Sequence, residues 1–355
     1  PAPDAAPDDS PSGPPAPEQA AAPVQVAAAP PTNGTAVWVS RSALQSRPVS
    51  GRHWSDLLAT ADGAFGTAKI SSQDSNHDMR TLAAALVWAR TGIASYRAKA
   101  AGAINRAIGT EAGGRTLALA RNLTGYVVAA DLIDLKAYDP AAEQRFRPWL
   151  SKVRTENLGG MTLISTHESR SNNWGAMAGV SRIAADLYLG DVGDLNRAAT
   201  VFRGYTGDRD AYAGFEFGDM SWQADPSAPV PIDAPGASKA GLSIDGALPD
   251  DMRRGCAFRV PPCQTWYPWE AMQGIIMQAD LLSHHGFPAF AWSENAVYRA
   301  ARFLRDLDGL YGGWWVTGDD IWQPSVLNHA YGPVFPSDGT GAGKVFGWTD
   351  WVYGT

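Results

Sequence analysis

The feature that most constrains the fold is a helical spacing of apolar residues, which begins near Trp54 and continues through most of the chain. The segment 80–90, for example, places Leu82, Leu86 and Ala89 on one face of a helix. The other segments of this kind are 94–108, 114–135, 142–153, 173–189, 193–202, 266–282 and 293–307. We therefore predict a mainly α-helical protein.

The expected packing of these helices follows from their number and their short connections. No alternating Val/Ile run is long enough for a central sheet, and short strands are expected only near Ile244, 314–316 and 345–348. Antiparallel helix pairs over roughly 300 residues form either a solenoid or a closed toroid. No motif recurs at a fixed period, which disfavours a regular solenoid. The sequence predicts an α/α toroid, an incomplete barrel of antiparallel helix pairs, over residues 36–355.

The N-terminal segment has a different composition. Its first 31 residues hold 10 of the 25 prolines and 10 alanines, carry only acidic charges and show no apolar period. Such a segment buries too little surface to offset the entropy of ordering it. We predict a disordered Pro/Ala-rich linker over residues 1–35.

Two long connections rich in Gly, Pro and Trp interrupt the helical pattern, at 205–245 and 308–355. Loops of this length in a compact domain are usually functional, so we expect them to form the walls of a cleft. Several of the 14 tryptophans lie in or beside them. An indole can stack on a sugar ring, although core packing is the commoner role of a tryptophan.

The charge and hydropathy exclude some partners. The net charge is −7 and there is no Lys/Arg run, which argues against nucleic-acid binding but leaves room for a local cationic cleft that attracts a polyanion. No run approaches the ~18 to 20 apolar residues that cross a bilayer. We expect a monomer that binds neither nucleic acid nor membrane.

The two cysteines, Cys256 and Cys263, lie in one Pro-containing loop. Two cysteines cannot complete a tetrahedral zinc site, and their spacing fits no zinc-knuckle or ferredoxin pattern. A local disulfide is the expectation, with free thiols as the alternative. Because disulfides persist outside the cytoplasm, a secreted or periplasmic location is favoured.

Four segments carry a family resemblance. Residues 171–175 read Ser-Asn-Asn-Trp-Gly and lead into an Ala-rich helix. Residues 245–255 read Asp-Gly-Ala-Leu-Pro-Asp-Asp-Met-Arg-Arg-Gly, and residues 267–272 read Tyr-Pro-Trp-Glu-Ala-Met. The segment 347–354, Gly-Trp-Thr-Asp-Trp-Val-Tyr-Gly, is the fourth. With the helical pattern, these segments resemble the alginate lyase family over nearly all of the chain after the linker.

This resemblance implies an α/α toroid that depolymerises uronate polysaccharides by β-elimination, without a cofactor or metal. The family's Asn falls on Asn173, its Arg on Arg254 and its catalytic Tyr on Tyr267. The family motif has a His after the Asn, where this chain has Trp174, and the Arg-to-Tyr spacing is longer here. A β-1,4-linked polymer of the glucuronan or alginate type is the expected anionic substrate.

The chemistry explains why these residue types belong together. In β-elimination a base removes the C5 proton beside a carboxylate that is already negative, so that carboxylate has to be neutralised. Arg254 can meet it with a two-pronged fork, and the Asn173 amide can donate to the same oxygens. A cation also stabilises a nearby phenolate, so Tyr267 is expected to take the C5 proton and to protonate the leaving oxygen.

Other residues are weaker candidates. His167 precedes the Asn motif in a polar run and is a candidate for the missing imidazole or for the base. Asn172 has an equally plain role as a helix N-cap. The candidate substrate contacts are Asn172, Trp174, Trp266, His329 and Tyr331.

Two alternatives to a lyase remain open. The carboxylates Glu168, Asp250, Asp251 and Glu270 allow a toroidal glycoside hydrolase that uses a carboxylate pair. Trp174, in place of the family's His, allows a non-catalytic carbohydrate-binding toroid that has lost its base. Since no metal-ligand spacing is visible, we expect a lyase here to survive treatment with a chelator.

Overall fold

The computed structural model describes residues 36–337, 339, 341 and 343–354. Over these residues the protein is mainly α-helical, which confirms the predicted class. The predicted linker at 1–35 lies outside the described residues. The helices are α1 Arg41–Leu44, α2 Arg52–Asp62, α3 His77–Thr91, α4 Ala94–Ala107, α5 Thr116–Leu132, α6 Leu135–Tyr138, α7 Pro140–Val153, α8 Leu163–Ser169, α9 Asn173–Leu189, α10 Val192–Tyr205, α11 Pro249–Met252, α12 Tyr267–His284, α13 Trp292–Tyr311, α14 Gln323–Tyr331 and α15 Thr349–Tyr353.

Four long helices form the centre of the molecule. Helix α3 packs against α5, α5 against α9, and α9 against α12. Most residues of these helices are buried, because small and apolar residues lie on several of their faces instead of on a single stripe. A helix with apolar residues on several faces is stable only inside a protein.

The other helices surround these four. Helices α2 and α4 pack on α3, whereas α8 and α10 pack on α9. Towards the C-terminus α14 contacts α12, α15 contacts α14, and α15 also contacts α2. The first and last parts of the described chain therefore meet.

Helix α9 carries the Asn motif, and its ends are clearly marked. At its start the Asn172 Oδ1 atom accepts a hydrogen bond of 3.1 Å from the Trp174 N–H. This is an N-cap, which satisfies one of the free N–H groups of the first turn. At its end Gly190 takes the left-handed conformation (φ 71°) that favours glycine.

The long connections hold more regular structure than the sequence suggests. Between α10 and α11 lies one antiparallel hairpin, with β1 Ser238–Lys239 and β2 Leu242–Ser243 paired in the register Ser238 to Ser243. The segment predicted as a loop at 308–355 contains α14 and α15. The prediction missed α14 because Pro324, which sits in its first turn, reads as a loop signal.

No helix within the described ranges combines the length and the apolar character that crossing a bilayer requires.

Candidate active site

A cleft of about 740 Å³ opens where the starts of α5, α9 and α12 approach the turn that follows α11. The N-terminus of α9 provides Asn173 and Trp174 to its lining, and the start of α12 provides Tyr267. Arg254 comes from the turn that follows α11, and Trp266 precedes α12. The fold thus brings the three principal residues of the sequence analysis to one site, from segments that are 81 and 13 residues apart.

Asn173 is held by its backbone and keeps its side chain free. Its N–H donates to the Asp251 Oδ1 atom at 3.1 Å. The residue is 3% exposed, yet its Oδ1 atom has no hydrogen-bond partner in the described structure. Buried polar atoms without a partner are rare in folded proteins. The Oδ1 atom can therefore accept a hydrogen bond from a ligand donor in the cleft without breaking a hydrogen bond within the protein.

Arg254 and Tyr267 form a cation–π pair. The Arg254 Cζ atom lies 3.9 Å from the centroid of the Tyr267 ring, within the range of a favourable contact. Arg254 is exposed and forms no ion pair with a carboxylate of the described residues. Its N–H groups are therefore available to an anion in the cleft, and the same contact fixes the position of the phenol.

Two buried carboxylates, those of Asp250 and Asp251, accept hydrogen bonds from the start of α9. Asp250 accepts hydrogen bonds from the Asn172 Nδ2 atom at 2.9 Å and from the Gly218 N–H at 3.2 Å, and it pairs with Arg253. Asp251 is fully buried, and burial raises the pKa of its carboxyl well above the usual range. These contacts place Asn173 relative to Arg254, so both acids position the site instead of lining it.

The other part of the cleft carries an acidic cluster around one arginine. Arg121 pairs with Glu270, and its Nη2 atom lies 3.5 Å from the Asp319 Oδ2 atom. Burial raises the pKa of Glu270, Arg121 opposes that shift, and the nearby charges of Asp319 and Asp74 add to it. Arg121 is already neutralised, unlike Arg254.

The structure places three of the predicted residues away from this cleft. His167 lies in α8 with no exposed surface, 3.5 Å from the Arg182 Nη1 atom, and burial together with Arg182 lowers its pKa well below the usual range. His329 stacks on the Tyr353 ring at a centroid distance of 4.0 Å. The Tyr331 hydroxyl is buried and donates to the Phe290 carbonyl at 2.7 Å.

Some of the tryptophans line the cleft, and others are buried away from it. Trp174 and the 47% exposed Trp266 line the cleft. Trp222, Trp269 and Trp322 are buried, and each donates its indole N–H to a backbone carbonyl. Their role is packing, as is usual for a buried Trp whose N–H has a partner.

Sequence reasoning missed two arginines of the cleft. Arg115 and Arg121 come from the start of α5, in a segment that was interpreted only as an apolar helix. The Arg115 Cζ atom lies 5.5 Å from the centroid of the Trp174 ring. The available signal was the charge of Arg121 inside an otherwise apolar run, since a buried arginine needs partners.

The predicted disulfide is confirmed. Cys256 and Cys263 are bonded, with a Cα–Cα distance of 5.7 Å. The bond closes the loop that connects Arg254 to Tyr267, and the Cys256 carbonyl accepts the Trp222 indole N–H at 3.0 Å. The bond therefore restrains the segment between the two residues of the cation–π pair.

Comparison of the chain with protein-family models, with curated protein sequences and with solved structures gave no match.

Proposed function

We propose that this protein is a polysaccharide lyase that cleaves a β-1,4-linked uronate polymer, of the glucuronan or alginate type, by β-elimination. The observation that carries the proposal is the meeting of Asn173, Arg254 and Tyr267 at one cleft. Each has a free functional group there, and together they match what elimination next to a carboxylate requires. The resemblance of their sequence segments to the alginate lyase family supports the same reaction.

Each residue has a definite task in the proposed reaction. Arg254, which has no salt-bridge partner among the described residues, pairs with the carboxylate at C5, and the Nδ2 group of Asn173 donates a hydrogen bond to the same carboxylate. Tyr267, as the phenolate, takes the C5 proton. The electrons of that C–H bond form the C4=C5 double bond, the C4–O bond breaks, and Tyr267 returns the proton to the leaving oxygen. A positioned acid–base group of this kind contributes about 10²- to 10⁴-fold.

The proposal includes the α/α toroid. Its support is the order of the helix contacts, which run from α2 through α3, α5, α9, α12, α14 and α15 and return to α2. A site built at the ends of several helices around such a ring would suit a chain-like substrate. The disulfide between Cys256 and Cys263 supports the secreted or periplasmic location, since such bonds persist in oxidising compartments.

A glycoside hydrolase is the second candidate function. Glu270 and Asp319 line the same cleft and share Arg121, and burial raises the pKa of Glu270 while Asp319 is about half exposed. Two carboxyl groups that face one cleft, one of them with a pKa raised by burial, are the kind of pair that hydrolysis of a glycosidic bond uses.

One assay separates these functions. The protein is incubated with glucuronan, alginate and a neutral β-1,4-glucan while ultraviolet absorbance and new reducing ends are followed together. A lyase produces both signals on a uronate polymer, because its product has a conjugated double bond. Reducing ends without absorbance would establish the hydrolase. Binding with neither signal would leave a carbohydrate-binding protein.

A further inference from the structure

Two arginines in the cleft have the same unusual setting. The Arg254 guanidinium lies over the Tyr267 ring and the Arg115 guanidinium lies over the Trp174 ring. Both arginines are exposed, and neither pairs with a carboxylate of the described residues. An aromatic face holds a guanidinium in place and leaves the N–H groups at its edge free.

Arg115 is also fixed by a second contact. Its Nη2 atom donates to the Gln73 Oε1 atom at 3.3 Å, and Gln73 lines the cleft too. This hydrogen bond has a neutral acceptor, so the positive charge of Arg115 remains uncompensated. Arg121 differs, because Glu270 and Asp319 already surround it. Arg115 is thus oriented towards the cleft and ready for an anion.

The two free arginines are linked through α9. Trp174, which contacts Arg115, is the residue directly after Asn173, the proposed partner of Arg254. An anion at Arg115 would therefore lie beside the site of the reacting carboxylate.

We propose that Arg115 binds the carboxylate of a second uronate, next to the uronate held by Arg254 and Asn173. The cleft then selects polymers that carry carboxylates on successive sugars, and it discriminates against polymers in which uronates alternate with neutral sugars. Asp74, Glu270 and Asp319, which also line the cleft, disfavour a third carboxylate beside them, because like charges repel. This inference rests on the proposed function for its reaction, but the binding of two adjacent carboxylates can be measured without any reaction.

The test compares Arg115→Gln with a matched control. Arg145→Gln is suitable, since Arg145 is exposed, lies in α7, and donates its Nε atom to a neutral side-chain acceptor, the Asn105 Oδ1 atom, at 2.9 Å. Steady-state elimination is measured on glucuronan and on a polymer of alternating glucuronate and neutral sugar. We expect Arg115→Gln to raise KM on glucuronan by about 10-fold or more, to change kcat by less than about 3-fold, and to leave KM on the alternating polymer unchanged. Arg115→Lys should retain most of the affinity, and Arg145→Gln should behave like the native protein.

An unchanged KM on glucuronan, or an equal rise on both polymers, would overturn the role of Arg115. Calorimetric binding of a saturated glucuronate tetrasaccharide to the same variants separates this inference from the proposed reaction. If no polymer is cleaved but Arg115→Gln alone weakens binding by about 10-fold, the lyase is refuted and the Arg115 site is supported. If the native protein neither cleaves nor binds, both proposals are refuted.

Discussion

Helices α9 and α12 approach so closely at Gly274 that the position tests the geometry of the whole site. A Cβ atom added there would lie 2.2 Å from the Ala176 carbonyl carbon and 2.5 Å from the Met177 N atom, all within the backbone of α9. Restoring an ordinary contact of 3.4 Å requires about 1.2 Å of movement between the two helices. Backbone atoms cannot rotate away as a side chain does, so Gly274→Ala has to separate α9 from α12.

That separation has two consequences. Overpacking of this kind costs about 1 to 3 kcal/mol, so we expect the Tm to fall by several degrees. Because α9 carries Asn173 and α12 carries Tyr267, we also expect elimination to slow by roughly 10²-fold, the usual effect of a displacement of about 1 Å in a catalytic group. Stability is measured by calorimetry, and activity by the initial rate on glucuronan.

The matched control is Gly309→Ala. Gly309 lies in α13, and apart from its chain neighbours and the backbone of its own helix no atom lies within 4 Å of an added Cβ. We expect Gly309→Ala to raise the free energy of unfolding by about 0.5 to 1 kcal/mol, because alanine has the higher helix propensity, and to keep full activity. If Gly274→Ala were as stable and as active as Gly309→Ala, the close approach of α9 and α12 and its link to the site would be refuted.

Three further predictions concern the parts that support the cleft. Replacing Cys256 and Cys263 by serine is expected to lower the free energy of unfolding, measured in urea, by about 2 kcal/mol and to raise KM, because the loop between Arg254 and Tyr267 is released. An unchanged KM would show that the disulfide does not help to position the site. Burial raises the pKa of Asp233 to about 7, so its carboxyl is protonated in the folded protein where the unfolded chain is ionised, and stability should fall as pH rises from about 4 to 7. Asp233→Asn should flatten this dependence in urea titrations, and an unaltered profile would contradict the assignment. Lys344→Met should lower the free energy of unfolding by about 3 to 5 kcal/mol, because the Lys344 Nζ atom lies 2.9 Å from the Oδ1 atom of the buried Asp78 and the change leaves that carboxylate without its partner. A loss below about 1 kcal/mol would show that Asp78 does not need this partner.

The parts of the structure that sequence could predict are those set by local pattern. The bounds of α9 agree with the predicted 173–189, because Asn172 caps its start and Gly190 ends it. Cys256 and Cys263 were assigned to a bond from their proximity in one loop, and the bond is present. In each case the determining interactions lie within a few residues.

The parts that could not be predicted depend on contacts between distant segments. Arg115 enters the cleft only because the start of α5 packs beside Trp174, and no sequence period reports that approach. Contacts between distant segments also decide the position of His167. Its place in a polar run made it a candidate for the site, but the packing of α8 on α9 buries it against Arg182.

The most direct test of the proposed mechanism is the rate at which Tyr267→Phe forms unsaturated product from glucuronan or alginate. The variant keeps the aromatic ring that Arg254 covers, and it loses only the hydroxyl, so folding and KM should be nearly unchanged. We predict a fall in kcat of at least about 10²-fold. A variant that retained the native kcat would show that Tyr267 is not the base, and would contradict the account at its centre.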